Sequence, residues 1–558
     1  MPWDKVKAQS RIDKLISEAP DIDVQRFNQY LPLYETQKAQ MAARSEPVSP
    51  PLFSLPKGKA IVVDAVQIYI SITNYDEFRL DEGQETSVSH ERALRLLHLY
   101  YSAADRVIEE SSVQRVDFHS GRVHAVVLEA EDGGVSRKTL GQALAFVEDF
   151  KKVAAVANQR LANSEFDAEF RVGIDVGTCV VINNGTGLEQ EPLFLGGAAN
   201  HAAKLADGDE PGVYVSDAVR QILGQPELGV FERFSSIPDD LIAVNAARRG
   251  TDERIVFGVR DRRSYADNVV GLWNEEIKRG EFPDFTNPTF RFFHKEPPFS
   301  DIDYAELMPS NTIRMPLVSM YADLSGYTNY IDDAVASGDI QEAVRALYVI
   351  RAEFQSVVEA DFGGRKVRFI GDCIHALIAE GSSSETDCRE SVASAAKCAG
   401  GLHSSFGLCK SKIGGLDELG LAVGVELGVT PVSRIGIRGD RSVRVATSVA
   451  TTRSEMMQKE CEHNGVKFGE SALRAAPVAL NDILTDGFNA DMDYGDVAIC
   501  LSATSERKNA LGAASGLAAP FIASQAAAAL PEAEKSSRLA EAVASRQSSG
   551  VGSKPWGK

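Results

Sequence analysis

The sequence lacks the features that mark several classes of protein. Its 558 residues contain no CxxC pair, and its seven cysteines are irregularly spaced and odd in number. Scattered thiols in an odd number are typical of reduced intracellular proteins, so we expect a cytoplasmic location. The opening segment, MPWDKVKAQSRIDKLISEAPDIDV, has no apolar run of the kind that secretory signals carry, so we expect none.

An excess of basic residues is also missing. Lysine and arginine number 59 against 79 aspartate and glutamate, which gives a formal net charge of −20. This balance disfavours non-specific binding to nucleic acid or to an anionic membrane, so an anionic substrate needs a locally basic pocket. The uncharged stretch 510–531 is mostly Ala, Gly and Ser with Pro520 inside, too weakly apolar for a typical membrane span. We therefore expect no membrane or nucleic-acid partner.

The middle of the chain contains an internal repeat. His124-Ala125 matches His375-Ala376, and 172–174 matches 423–425, each displaced by 251 residues (375 − 124 and 423 − 172). Repeats at a fixed offset indicate a duplicated structural unit. The predicted division is an N-terminal arm at 1–57, a first copy at 58–260, a linker at 261–312, a second copy at 313–475, a C-terminal extension at 476–504, and an Ala/Ser-rich tail at 505–558 that we expect to be disordered.

Hydrophobic periodicity predicts the same order of elements in both copies. In the first copy it predicts a strand at 59–72, a helix at 91–111, two strands that turn at Ser120-Gly121, a helix at 139–162 and a strand pair at 170–183. In the second copy it predicts a strand at 315–328, a hairpin at 366–381, a helix around 386–407 and a strand at 419–432.

Two aspartates of the second copy follow apolar strands. Asp323 ends one strand and precedes Leu-Ser-Gly-Tyr-Thr, and Asp372 lies in the turn of the following hairpin. Carboxylates at neighbouring strand ends can meet, and Mg²⁺ typically takes one or two carboxylates together with substrate phosphates. Each residue singly fits a helix cap or a turn aspartate equally well. Their joint place in one duplicated frame favours a metal site.

The segments VSMYADLSGYT and VRFIGDCIHALI resemble the two metal-binding segments of class III nucleotidyl cyclases. The resemblance implies an α+β fold of two tandem ferredoxin-like (βαββαβ) cyclase domains that form a pseudo-dimer. It also implies that Asp323, Leu324 and Asp372 hold two ions, Mn²⁺ or Mg²⁺, in each site.

The first copy departs from that metal pattern. Asp64 aligns with Asp323, but Gln67 replaces the glycine that follows the aspartate, and Gly121 replaces Asp372. We therefore expect this copy to hold no metal by itself.

The first copy keeps a different part of the family pattern. The segment LFLGGAANHAAKLADG resembles the family's transition-state segment, with Asn200 at the asparagine position and Lys204 at the arginine position. The second copy has Arg453, aligned with Lys204, but no asparagine near Val449. Lysine is a departure, because it loses the bidentate fork of arginine. By themselves, Asn200 and Lys204 fit better as an exposed polar residue at a helix N-terminus and a solvated lysine, and it is the repeat that favours a functional role.

These complementary losses predict one working site and one inactive pseudo-site, because family members build each site between two domains. The copies can pair within one chain or across the two chains of a homodimer. Asn200 and Lys204 would be the catalytic groups, and Arg438 aligns best with a triphosphate-binding arginine. A solvated hairpin explains Arg438 equally well.

The base-selecting positions align with Asp117 and Leu193, which match neither the adenine nor the guanine pair of the family. An ionised aspartate only accepts hydrogen bonds, so it suits uracil N3–H or the cytosine amine. This departure is similar to the pyrimidine cyclases of bacterial Pycsar anti-phage defence. We expect conversion of UTP, or else CTP, to its 3′,5′-cyclic monophosphate and pyrophosphate, the product being a messenger to a separate effector. The alternatives are an adenylate cyclase with an atypical base pocket and a catalytically inactive nucleotide-sensing module.

Overall fold

A computed structural model describes residues 2–46, 50–53, 55–183, 192–246, 262–286, 290–437 and 442–502. The predicted tail at 505–558 and Arg438 lie outside these ranges.

Two sets of elements follow one another along the chain. The first set is α1 (Lys5–Glu18), β1 (Asp23–Arg26), α2 (Phe27–Ala43), β2 (Lys59–Ile72), α3 (Tyr75–Arg79), α4 (Ser87–Glu109), β3 (Gln114–His119), β4 (Arg122–Leu128), α5 (Arg137–Leu161), β5 (Phe170–Asn183), β6 (Pro192–Leu195), α6 (Gly197–Leu205), β7 (Gly212–Val215), α7 (Asp217–Leu223), α8 (Asp239–Ala246) and α9 (Arg262–Lys278). The second set is β8 (Phe292–Phe293), β9 (Thr312–Ser325), α10 (Tyr327–Ser337), α11 (Ile340–Ser356), β10 (Arg365–Ile370), β11 (Cys373–Ile378), α12 (Cys388–Lys412), β12 (Gly420–Ile435), β13 (Val443–Ala446), α13 (Val449–Lys459), β14 (Gly465–Phe468), α14 (Glu470–Ala475) and β15 (Phe488–Asn489).

Each set builds one mixed sheet around the same four strands. The first sheet has the order β3-β4-β2-β5-β6, with β1 beside β2 and β7 beside β5. The second has the order β10-β11-β9-β12-β14-β15, with β8 beside β9 and β13 beside β12. In the first sheet, the hairpin β3-β4 lies on one side of β2 and the long antiparallel strand β5 lies on the other. In the second sheet, the hairpin β10-β11 lies on one side of β9 and the long antiparallel strand β12 lies on the other.

Most predicted elements are confirmed, but the strand pair predicted at 170–183 is wrong. The structure has the single strand β5 there. The central Gly177 lies within this strand and allows α6 to approach, since a Cβ on it would lie 3.1 Å from the Cβ of Ala198.

Strand register fixes how the two sheets correspond. Tyr69 pairs with His124 and stacks on it at 4.0 Å between ring centroids, and Tyr321 pairs with His375 and stacks at 4.2 Å. Counting on from these pairs, Asp323 corresponds to Ser71. The predicted match of Asp323 with Asp64 is therefore wrong.

The match that the sequence predicts between helices α6 and α13 is also wrong. A Cβ on Gly173 would meet the Ala202 carbonyl at 2.1 Å, and a Cβ on Gly424 would meet the Ser454 carbonyl at 2.0 Å. These equivalent contacts pair Ala202 with Ser454. By the same count Lys204 corresponds to Met456, and the predicted match with Arg453 is wrong by three residues.

The two halves share hydrophobic cores. Ile435, Val443 and Val445 of the second half are buried in the cluster that surrounds β2 and α5. Conversely, Ala60 and Leu193, with other residues of the first half, are buried in the cluster that surrounds β9 and α11. The halves therefore form one packed body.

The N-terminal helix α1 is anchored on the second half through buried charges. Arg11 lies 2.6 Å from a carboxylate oxygen of Glu353 and 2.9 Å from one of Asp361, and these two carboxylate side chains are 0% and 1% exposed. The Trp3 indole N–H also donates to the Ser405 hydroxyl at 2.8 Å. Removing one partner of such a network leaves uncompensated buried charge.

We expect Arg11→Ala to lower the free energy of unfolding by about 3–5 kcal/mol, because it leaves the buried Glu353 carboxylate without its cation and leaves Asp361 with Lys7 alone. The matched control is Lys14→Ala on the same helix, whose contact with Glu18 is 3.8 Å long and exposed. That variant should cost less than about 1 kcal/mol. Chemical unfolding measures both, and equal unfolding midpoints for the two variants would contradict the assigned role of Arg11.

Within the ranges given above, no helix combines the length and the apolar character that crossing a membrane requires.

Candidate active site

A cavity of about 350 Å³ is lined by residues from both halves of the chain. It brings together seven of the residues that the sequence singles out. They are Asp117, Leu193, Asn200 and Lys204 from the first half, and Asp323, Leu324 and Asp372 from the second. The eighth, Arg438, lies outside the described residues.

The two carboxylates come from adjacent strands. Asp323 lies near the end of β9, and Asp372 lies in the tight turn between β10 and β11, where Gly371 has a φ of 61°. Because β11 pairs with β9 up to Ala322, the turn is beside the end of that strand. The Asp372 carboxylate also accepts a hydrogen bond from the backbone of Leu324.

Burial changes the protonation of both carboxylates. It raises the pKa of Asp323 to about 6, with Lys459 opposing this shift and Glu455 adding to it. It raises the pKa of Asp372 well above its usual range, and the neighbouring Asp323 raises it further. Two adjacent, desolvated carboxylates disfavour their own negative charge, which a bound cation would compensate.

The donor set fits a hard divalent cation. Across the described parts of the chain, no three or more His, Cys, Asp or Glu side chains cluster closely enough to hold a metal. The protein therefore offers two carboxylates and the backbone at Leu324, which is what Mg²⁺ or Mn²⁺ uses when substrate phosphates complete its coordination.

Polar and charged side chains of α13, which the sequence analysis did not identify, lie beside the two carboxylates. Gln458 Nε2 donates to Asp323 Oδ2 at 3.3 Å. Glu455 lies 3.0 Å from Arg122 of the first half and 3.0 Å from Lys459. Burial would raise the pKa of Glu455, but the two cations outweigh it and lower that pKa to about 2. These residues lie on α13, and nothing in their spacing distinguishes them from other helix residues.

Helix α6 brings Asn200 and Lys204 to the opposite wall. The Asn200 amide donates to the Thr328 hydroxyl of the second half. Lys204 is exposed, and its ammonium has no ion pair or hydrogen bond with any residue that the structure describes. The wall thus presents an amide and an unpaired cation to the cavity.

His201 ties this helix to its surroundings. Its Nδ1 lies 3.0 Å from Asp175 on β5, and its Nε2 lies 3.1 Å from Glu232. The hydrogen bond to Asp175 raises the pKa of His201. No pattern in the sequence indicates this contact.

Asp117 also lines the cavity, and one of its carboxylate oxygens is already paired. Its carboxylate accepts a hydrogen bond from Arg368, and the other oxygen lies 2.8 Å from His119 Nδ1. Burial would raise the pKa of Asp117, but Arg368 and His119 hold it well below its usual range. Leu193 is buried nearby, 5% exposed. Register places Asp117 and Arg368 at equivalent positions of β3 and β10.

The equivalent cleft on the other side of the molecule is filled by side chains. There Ser71 and Gly121 stand where the second half has Asp323 and Asp372. The Arg79 guanidinium, 7% exposed, donates to the Ser448 carbonyl at 3.1 Å and to the Thr452 hydroxyl at 2.7 Å. The Tyr75 hydroxyl lies 2.9 Å from that of Thr447. Among the described residues, this cleft therefore has no counterpart of the two carboxylates, and Arg79 and Tyr75 make contacts across it.

Comparison with known proteins places the chain among the cyclases. It is 39% identical to a uridylate cyclase from a Rhizobium species over 515 residues, 89% of this chain and 95% of the relative. It is 31% identical to a uridylate cyclase from Pseudomonas aeruginosa, covering 90% of this chain and 91% of that one. A scan against models of protein families found no match.

A solved structure agrees. A class III adenylyl cyclase-like ATP-binding protein from Pseudomonas aeruginosa superposes with a TM-score of 0.78 and 30% identity, covering 90% of this chain and all of the other. The fold is therefore class III cyclase-like, with mixed α and β content. With relatives this similar over most of its length, the chain belongs to the uridylate cyclase family of class III nucleotidyl cyclases.

Proposed function

We propose that the protein converts UTP to 3′,5′-cyclic UMP and pyrophosphate. The observation that carries the proposal is the composition of one cavity. It joins two carboxylates of the second half to an asparagine of the first half and to Lys204, which has no partner among the described residues. The equivalent cleft lacks both sets and is filled by Arg79. The names of the two relatives point to the same substrate.

The architecture we infer is a pseudo-dimer of tandem ferredoxin-like domains within one chain. Its support is the strand order shared by the two sheets and the core residues that each half contributes to the other. The proposed domains keep the predicted limits, 58–260 for the base and transition-state side and 313–475 for the metal side. Residues 1–57 then stabilise the second domain through the contacts of α1.

The roles follow from chemistry and position. Asp323 and Asp372 would hold one or two Mn²⁺ or Mg²⁺ ions with the Leu324 backbone, and such ions activate a hydroxyl and neutralise phosphate charge when bound. Gln458 orients Asp323 by its hydrogen bond. Asn200 orients the ribose. Lys204 places its positive charge where negative charge grows on the α-phosphate during attack by the 3′-hydroxyl.

The base end is where selectivity would arise. Asp117, His119 and Leu193 line it, and an apolar wall beside fixed polar groups favours a base that can pair with those groups. We propose UTP before CTP. The solved neighbour is named as an ATP-binding protein, so an adenylate cyclase is the second candidate.

We further propose that the cyclic product is a messenger in antiviral defence, read by a separate effector. The support is membership in the uridylate cyclase family. We expect cyclic UMP to rise in phage-infected cells that carry the wild-type chain and not in cells that carry Asp372→Ala. A rise in both would contradict the role.

The direct test incubates purified protein with ATP, GTP, CTP and UTP in the presence of Mn²⁺ and identifies products by mass. We expect cyclic UMP, absent with Asp372→Ala. Cyclic AMP alone would support the second candidate and keep the site. Nucleotide binding without any product would support the nucleotide-sensing module instead.

A further inference from the structure

Helix α6, which carries Asn200 and Lys204, begins without a side-chain cap at its own N-cap position. That position is Gly196, and the N–H groups of the first helical turn need acceptors from elsewhere. The Gly197 N–H donates to Asp332 Oδ1 at 3.2 Å. Asp332 belongs to α10 of the second half, so the acceptor for this helix terminus comes from across the boundary between the halves.

The two glycines at the start of α6 leave room for this carboxylate. A Cβ on Gly196 would lie 3.4 Å from Asp332 Oδ1, and a Cβ on Gly197 would lie 3.0 Å from Asp332 Oδ2. Gly196 also has a φ of 133°, which residues with a side chain rarely adopt. A carboxylate beside a helix N-terminus is favourable, because the helix dipole is positive there. The local sequence and the electrostatics therefore both suit an acidic group at this place.

A second hydrogen bond joins the same two helices. The Asn200 amide donates to the Thr328 hydroxyl. Thr328 and Asp332 are four residues apart on α10, and Gly197 and Asn200 are three apart on α6, so each pair lies on one face of its helix. The two helices thus run in opposite directions along a contact that is fixed at two points.

This contact lies between the two sets of residues proposed to act on the substrate. Thr328 follows Asp323 by five residues, and Lys204 follows Asn200 by four, about one turn further along α6. All four residues line the cavity. The separation of α6 from α10 therefore sets how far Lys204 stands from Asp323.

We propose that Asp332 is a positioning residue, which caps α6 from the opposite half and so holds Asn200 and Lys204 at a fixed distance from the two carboxylates. This inference rests on the proposed cyclase function. Groups that act on a transition state lose about 100-fold in rate when they are displaced by about 1 Å. An asparagine amide has two N–H donors and an acceptor oxygen, so its bond with Thr328 leaves groups for the ribose. Asp332 itself is exposed and does not line the cavity, so we assign it no contact with substrate.

The first test measures steady-state formation of cyclic UMP by Asp332→Ala and Asp332→Asn. Asp332→Ala removes the cap, so we expect kcat to fall by about 10-fold or more while KM for UTP changes by less than about threefold. Asp332→Asn keeps an oxygen that can accept from Gly197, so its kcat should stay within about threefold of the wild type. An unchanged kcat in Asp332→Ala, or an equal loss in Asp332→Asn, would overturn the proposal.

The chain offers a matched control for charge. Asp333 is the next residue of α10, is also exposed and has no hydrogen bond or ion pair with any residue that the structure describes. Asp333→Ala removes the same charge near an anionic substrate but leaves the cap, so kcat should change by less than about twofold. A loss in Asp333→Ala as large as that in Asp332→Ala would assign the effect to charge and contradict the proposal.

The second test asks whether Asp332 acts through Lys204. The factor lost on Asp332→Ala should be at least about threefold smaller in a Lys204→Ala background, because no ammonium remains to be displaced. A general effect on folding would lower the activity of both backgrounds by the same factor. Equal factors in the two backgrounds would therefore overturn the proposal.

The third test needs no turnover. Amide hydrogen exchange, followed by mass spectrometry, reports the opening of the first turn of α6. In Asp332→Ala this turn should exchange about fivefold faster than in the wild type, since it has lost its cap. Exchange in α7 should not change, because Ser216 caps that helix from within the first half. Unchanged exchange in α6 would contradict the cap.

These outcomes separate the inference from the proposed function. A wild type that makes no cyclic nucleotide from any triphosphate contradicts the function, and the exchange measurement then still tests the cap. A wild type that makes cyclic UMP, with a kcat that Asp332→Ala leaves unchanged, contradicts the inference alone.

Discussion

Asp323→Ala is expected to reduce cyclic UMP formation by about 1,000-fold or more, since it would remove a proposed ligand for ions that, when bound, would supply several kcal/mol of transition-state stabilisation. The side chain lies at the end of β9 beside Asp372, and Gln458 fixes one of its oxygens. Its loss should also weaken Mn²⁺ binding measured by calorimetry in the absence of nucleotide. A chain with full activity and unchanged Mn²⁺ affinity would contradict the metal assignment.

The structure provides a matched control. Ser71 occupies the equivalent position of β2, in the cleft that Arg79 fills. Ser71→Ala should therefore leave both turnover and Mn²⁺ affinity within about twofold of the wild type, as is usual for substitutions away from a site. Equal losses in the two variants would indicate a general effect on folding or two active clefts.

Lys204→Ala is expected to lower kcat for UTP by about 100-fold with a smaller change in KM, because in the proposed role its charge would act on the transition state more than on the bound substrate. Lys204 has no competing partner among the described residues, so its charge is available to the α-phosphate. Steady-state kinetics of cyclic UMP formation measure the effect.

Two further variants serve as controls for Lys204→Ala. Lys204→Arg should retain far more activity than Lys204→Ala, since it keeps the charge. Met456→Ala alters the equivalent position of α13, is 50% exposed in the structure and should change kcat little. A loss in Met456→Ala as large as that in Lys204→Ala would contradict the division of labour between the halves.

Strands and hairpins are predictable because their patterns are local. The strand predicted at 59–72 has those limits in the structure, and the turn at Ser120-Gly121 separates β3 from β4. The match of His124 with His375 also sets the correct frame, because both histidines stack on a tyrosine of the neighbouring strand.

The two wrong matches between the copies pair residues that are chemically similar but lie in different structural environments. Asp64 resembles Asp323 because both follow apolar residues, but Asp64 accepts from Thr178 and Gly134 at a different level of its strand. Arg453 resembles Lys204 because both are basic. Helix position is set instead by the glycines on which the helices rest, and such close approaches cannot be read from one sequence.

The contacts of His119 cannot be predicted for a related reason. Its partner Asp117 stands out in the sequence, but Arg368 comes from the other half of the chain, 251 residues away. A pattern within one segment carries no information about which distant side chain neutralises it.

The pair of Asp117 with Arg368 has a consequence for how such a molecule can assemble. The two residues hold equivalent positions in the two sheets, so they face each other only when unlike halves meet. Two first halves would oppose aspartate to aspartate, and two second halves would oppose arginine to arginine. Either arrangement buries repelling charges without compensation, at a cost of several kcal/mol. One ion pair at the meeting point thus disfavours symmetric partners and favours heterotypic association, the arrangement in which carboxylates and lysine share a cavity.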